Sequence, residues 1–187
     1  MKELGLQELL RYALSGGIGI ASLLLMYPKV ACLIGHIEGT AGVTLILGAI
    51  LVVGTLVYNI HRALLFPPIF RAIGLITLPW INPTWKLLIL WLPSDAEIEF
   101  DRWRWKLEDK DRRRWDEWSA QTHSLYCAAW ATLAAFVFGR YLAGPPSCQS
   151  RQIFWVLFCT TLIAGMVNNF RLLYSIAAEK SSSSLRS

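Results

Sequence analysis

Charge is missing from four long stretches of this chain: between Arg11 and Lys29, between Glu38 and His61, from Gln121 to Gly139, and between Arg151 and Arg171. Crossing about 30 Å of hydrocarbon takes roughly 20 mostly apolar residues. The second and fourth runs meet that length outright. The first meets it with Lys29 snorkelling to the headgroups, and the third with His123 at its interfacial end. Missing charge on this scale excludes a soluble core. The chain is 55% hydrophobic, above the roughly 45–50% of globular domains, and its mean hydropathy is +0.42. No run carries Asp or Glu near its middle, which excludes a permeation path built on a charged ring and argues against proton-coupled transport.

Chemistry-bearing patterns are equally scarce. The four cysteines, Cys32, Cys127, Cys148 and Cys159, form no C-x-x-C pair and no metal-ligand spacing with His36, His61 or His123, so neither a disulfide nor a metal site is expected. A nucleophile elbow, a phosphate loop before Lys-Ser/Thr and an HExxH helix are all lacking. Gly16-Gly17-Ile18-Gly19 superficially matches a dinucleotide loop, but it sits in an apolar run with no strand before it, so it reads as helix packing. No catalytic residue, metal or cofactor is therefore assigned, and the expectation is a protein that is not an enzyme. The formal charge of +5 marks no nucleic-acid binder, because the basic residues end apolar runs or alternate with acids. The amino end lacks a small-x-small cleavage site and is expected to stay as the first span.

What remains defines a topology. With the amino end in the cytoplasm and four crossings, nearly all Lys and Arg fall on the inner side, leaving only Lys29, Arg140 and Arg151 outside. The positive-inside bias then puts both termini and the central loop in the cytoplasm. Residues 63–93 resist a fifth crossing. Pro67, Pro68, Pro79, Pro83 and Pro93 remove backbone donors that lipid cannot replace, and Arg71 and Lys86 leave too short an apolar piece. This Pro/Trp-rich segment reads as interfacial or re-entrant, with Trp80, Trp85 and Trp91 at headgroup depth. His61, Arg62, Arg71 and Lys86 are its candidate lipid-headgroup residues.

Pro93-Ser94-Asp95-Ala96-Glu97 carries a capping box, and neither Gly nor Pro occurs from Ser94 to Phe138. One continuous helix is predicted, beginning in the cytosol at Ser94 and becoming the third span. Its cytosolic part is laced with i,i+4 pairs such as Asp109–Arg113 and Arg113–Glu117, each worth about 0.3–0.5 kcal/mol. Phe100, Trp103, Leu107, Trp115 and Trp118, with Arg114 interrupting, form the candidate partner-binding stripe.

Helices in lipid associate through small residues at helical spacing. Ser15 and Gly19 mark such a face on the first span, Thr44, Gly48, Thr55 and Asn59 on the second, Ala128, Thr132, Ala135 and Gly139 on the third, and Thr161, Gly165 and Asn169 on the fourth. These faces serve either the bundle of one chain or a pore at an oligomer axis.

The sequence thus predicts an all-α, integral membrane four-helix bundle. Its parts are a first transmembrane hairpin (1–62), the Pro/Trp-rich segment (63–93), a charged cytosolic helix (94–120) continuous with the third span, a second transmembrane hairpin (121–176) and a disordered tail (177–187). Leu10-Arg11-Tyr12-Ala13-Leu14-Ser15-Gly16-Gly17 is similar to the opening of small four-span flippase-like proteins that move polyprenyl-linked sugars. The charged helix and the Pro-rich segment depart from that family, and no residue is carried across. The leading functional expectation is a non-catalytic homo-oligomer in a bacterial inner membrane that anchors or signals to a cytoplasmic protein partner. A stress or antiviral defence module would suit that architecture. An oligomeric channel or permeabilising effector is the second expectation, and a lipid-handling transporter or enzyme the third.

Overall fold

The computed structural model describes residues 6–35, 39–69 and 108–184, and every described element is helical. In chain order these are α1 (Leu6–Met26), α2 (Pro28–Gly35), α3 (Gly39–Ile60) with a π-helical turn at His61–Leu65, α4 (Asp109–Ala143) and α5 (Cys148–Ser184). Three stretches are long and apolar enough to cross a bilayer, Gly42–Ile69, Asp109–Ala143 and Cys148–Leu172, and Tyr12–Met26 forms a shorter apolar helix. The chain is an all-α protein whose long apolar helices are those of a membrane-spanning bundle. Of the Pro/Trp segment, residues 70–93 lie outside the described residues.

The described residues divide into two compact units, Met1–His61 with His123–Ala164, and Arg62–Thr122 with Gly165–Ser187. In the first unit, α1 packs along α3 at a point where both helices have glycine. A Cβ built on Gly16 would overlap the Ile50 carbonyl, and one on Gly54 would overlap the Tyr12 carbonyl. The two backbones touch, which no larger residue permits. The small face of α1 also meets α4. Ser22 Oγ lies 3.3 Å from Thr132 Oγ1, and a Cβ on Gly19 would sit 3.1 Å from that of Ala131.

Tyr27 interrupts the first apolar helix because Pro28 has no N–H to continue it and opens α2 at its first position. The next turn re-forms around Tyr27, whose carbonyl takes the N–H groups of Val30 (2.9 Å) and Ala31 (3.3 Å). That shift leaves the Met26 carbonyl outside the ladder, and Ser150 Oγ of α5 donates to it. Tyr27 Oη donates to the Phe136 carbonyl at 2.8 Å, with Gly139 making room for its ring. Met26, Tyr27, Val30, Ala135 and Phe154 form the core here. Ser150→Ala would leave the Met26 carbonyl without this donor, at a cost of about 1–3 kcal/mol. A melting temperature lower by several degrees in detergent is the expected reading.

The α4–α5 connection is short and locally encoded. Gly144 adopts φ +88° and returns its N–H to the Arg140 carbonyl at 3.0 Å, closing α4 as glycine does best. After two prolines, Ser147 caps α5 by accepting the Ser150 N–H at 3.0 Å.

Two expectations about helix ends are corrected. The helix that becomes the third span starts at Asp109 rather than running unbroken from Ser94, because Glu108 is not helical. The Glu108 carbonyl accepts the Arg112 N–H at 2.9 Å, while Asp109 and Asp111 occupy the first turn, where the helix dipole favours anions. Residues 94–107 lie outside the described residues. At the other end α5 continues to Ser184, through most of the predicted disordered tail. Ala177, Ala178, Glu179 and Lys180 are strong helix formers, and they extend a helix already nucleated by a span.

Candidate functional site

The most polar ring cluster among the described residues lies in the first unit, where α3 widens into its π-helical turn. Pro67 and Pro68 follow, and proline rings crowd the carbonyls one turn back, a recognised cause of distortion. His61 opens that turn and is 0% exposed. Its Nε2 lies 3.1 Å from Nδ1 of His123 on α4. Its Nδ1 accepts the indole N–H of Trp130, also at 3.1 Å. His123 and Trp130 are seven residues apart, two turns along one face of α4, so the imidazole of α3 bridges both turns.

The tautomers follow from the donor inventory. Indole nitrogen only donates, so His61 Nδ1 must be the bare acceptor. A neutral His61 then carries its proton on Nε2 and donates it to Nδ1 of His123, which in turn holds its own proton on Nε2. One direction runs through the chain: Trp130 to His61 to His123. Tyrosines pack around it. Tyr126 is tilted against His61 at 5.5 Å between centroids, Tyr58 meets His123 edge-on at 6.2 Å, and Tyr12 meets Tyr58 edge-on at 5.1 Å.

This geometry decides against one chemistry. A metal bound at His61 Nε2 would need the proton on Nδ1, which would then face the Trp130 N–H. Among the described residues no three His, Cys, Asp or Glu side chains converge on a common point, and all four cysteines are free thiols.

A second polar cluster belongs to the other unit. Trp118 Nε1 donates to Asn168 Oδ1 at 2.7 Å, Asn168 Nδ2 donates to Thr122 Oγ1 at 2.7 Å, and Thr122 Oγ1 donates to the Trp118 carbonyl at 3.0 Å. Each donor meets one acceptor, and the circuit ties α4 to α5. Trp115 is 8% exposed and stacks on Trp118 at 5.8 Å.

The sequence-predicted residues are thus distributed unevenly. His61 is no headgroup ligand: it is buried and bonded on both nitrogens, whereas Arg62 beside it is exposed. Arg71 and Lys86 lie outside the described residues, as do Phe100, Trp103 and Leu107. Trp115 and Trp118 turn inward, against the expectation of an open partner-binding stripe, and Arg114 is exposed. Ser15, Gly19, Gly165 and Asn169 are buried, and Thr161 bonds back to the Leu157 carbonyl at 2.7 Å. Thr44, Gly48, Thr55 and Asn59 are exposed, because α3 packs through Gly54, Tyr58 and His61 instead. Tyr58, Tyr126 and Trp130 were missed as site residues. Their signal was Tyr58-x-x-His61 set against His123-x-x-Tyr126-x-x-x-Trp130, two aromatic faces at helical spacing.

Large apolar side chains stand outward on these helices, among them Leu45 at 62%, Phe138 at 64% and Val156 at 65% exposure. Water would penalise each, and hydrocarbon accepts them. The molecule is an integral membrane protein of helical class. No protein-family model, curated protein or solved structure matches the chain.

Proposed function

We propose that this chain is a non-catalytic, self-associating membrane protein that crosses the bilayer four times and anchors or signals to a cytoplasmic protein through the start of α4. The observation that carries the reading is the division of that helix. Lys110, Arg113, Arg114 and Glu117 are exposed at spacing i, i+3, i+4, i+7, while Trp115 and Thr122 are buried. Glu108 and Asp109 are exposed at the same end, so this surface carries both signs. The aromatic residues lock α4 to α5, so the docking contact belongs to the charged side and Arg114 rather than to Trp115 and Trp118. The positive-inside bias supports a cytoplasmic side for this stripe and both termini, and a bacterial inner membrane is the setting we propose. A stress or antiviral defence module, in which a membrane subunit holds a soluble effector, fits that arrangement.

Arg113→Ala/Arg114→Ala is expected to cut recovery of the co-purifying partner about tenfold, since charge complementarity governs encounter and register, while the melting temperature stays put. A wild-type chain that returns alone from its native membrane, or a double variant that keeps its partner, overturns the reading.

One observation favours a second reading, an oligomeric channel: Thr44, Gly48, Thr55 and Asn59 lie on α3 and are exposed among the described residues. Reconstituted liposomes that release ions or small dyes would support it, and sealed ones would count against it. Of the residues that suggested lipid handling, His61 is buried, and Arg71 and Lys86 lie outside the described residues.

A further inference from the structure

We propose that Trp130, His61 and His123 form a proton-operated latch between α3 and α4. The inference is independent of the partner proposed above and rests on one property of the chain of bonds. In its neutral form neither imidazole has a basic lone pair to spare inside the cluster. The Trp130 N–H (3.1 Å) holds Nδ1 of His61, and the His61 Nε2–H (3.1 Å) holds Nδ1 of His123. A proton can enter only by displacing one of these two donors.

The two displacements are unequal. A proton on His123 Nδ1 would set two N–H groups nose to nose and orphan both of them. A proton on His61 Nδ1 orphans the indole alone, and a buried unpaired donor is costly. The second route is therefore taken. The proton bonds to His61 Nδ1, the Trp130 hydrogen bond breaks, and the His61 Nε2 proton can pass to His123 Nδ1. The charge then rests on His123, whose two nitrogens both carry protons, while His61 keeps one proton on Nδ1 and accepts at Nε2. The bond between the histidines survives with its direction reversed, and Trp130 is released. The mass balance is one proton gained and one indole bond lost.

Among the described residues, Tyr126 packs on His61, Tyr58 on His123 and Tyr12 behind Tyr58. The nearest charge in sequence, Arg62, is exposed. A latch of this kind makes the α3–α4 contact responsive to protonation through imidazoles rather than a carboxylate.

With only three histidines in the chain, ¹⁵N-histidine NMR in nanodiscs reads the tautomers directly. At pH 8 His61 is expected to show bare Nδ1 and protonated Nε2, with His123 protonated on Nε2. On acidification both rings should change in one transition, at the pH where the ¹⁵N-labelled Trp130 indole signal moves. Trp130→Phe frees the His61 lone pair and should raise proton affinity up to about tenfold, moving the midpoint up by as much as one unit. The proposal is overturned by a proton on His61 Nδ1 at pH 8, by independent titration of the two rings, or by a Trp130→Phe midpoint equal to wild type. The wild-type tautomer measurement stands even if the variant folds poorly.

Discussion

Gly54→Val is expected to abolish the native packing of α1 on α3 and to remove most folded protein from detergent extracts. The reason is the identity of the obstacle. A Cβ at position 54 would overlap the Tyr12 carbonyl, and the reciprocal Cβ at Gly16 would overlap the Ile50 carbonyl. Overpacking against flexible side chains costs about 1–3 kcal/mol because rotamers can shift. Here the neighbour is backbone held in a helix, so the two helices must separate instead. Separation would also withdraw Ser22 from Thr132 and Tyr12 from Tyr58. A loss of at least 4 kcal/mol, on the order of 10 °C in melting temperature, is the reading to look for. Gly48→Val supplies the control on the same helix, since its Cβ meets nothing within 4 Å and the position is exposed. It should leave monomer stability within about 0.5 kcal/mol. Equal damage from both variants would mean that the glycines matter through helix propensity rather than through the crossing.

That pair of glycines shows what was legible in the sequence and what was not. Apolar run length located three helices long enough to cross a bilayer and, in the first run, the shorter apolar helix Tyr12–Met26, because burial in lipid has one dominant requirement. On α1 the small-residue rule selected Ser15 and Gly19, and both are buried. On α3 the same rule selected Thr44, Gly48, Thr55 and Asn59, one side away from Gly54 and Tyr58. Small and polar residues were weighted there above a lone glycine next to a large aromatic, yet one glycine suffices where two backbones cross. The histidines were read singly, as interfacial residues. Their meaning depends on which helices are neighbours, and periodicity within one helix carries no information about that. The start of α4 was misplaced for a related reason. Absence of Gly and Pro permits a helix to continue, but Asp109 and Asp111 after Glu108 favour a new N-terminus there.

The two polar clusters also explain how a chain with so few charged groups in its spans achieves a specific arrangement. Apolar contacts in lipid are weakly selective, since lipid tails compete for the same surfaces. Directional bonds across helices discriminate. His61 between His123 and Trp130 fixes α3 on α4 in one unit, and Asn168 between Trp118 and Thr122 fixes α4 on α5 in the other. Each cluster uses a Trp N–H, a donor that cannot reverse, to impose one orientation on a group that can.

Asn168→Leu is the variant that tests this at the second cluster, with the second largest expected effect. It removes the acceptor of the Trp118 N–H and the donor to Thr122 together. Interhelical hydrogen bonds in membranes average about 0.6 kcal/mol and reach about 1.7, but two partners are stranded here. Thr122 is 1% exposed, so water repairs little. A total of about 2–4 kcal/mol is expected, read as a lower midpoint of unfolding in mixed micelles. Asn168→Asp separates bonding from shape. Its carboxylate still accepts from Trp118, but it can no longer donate to Thr122. Thr122 must then turn its hydroxyl to the carboxylate and give up the Trp118 carbonyl 3.0 Å away. The aspartate variant should therefore be destabilised at pH 8 and recover part of the loss as acid protonates it, because the neutral carboxyl regains a donor. Leucine offers no such recovery. A leucine variant as stable as wild type would show that the aromatic stack of Trp115 and Trp118, rather than the amide, holds α4 to α5.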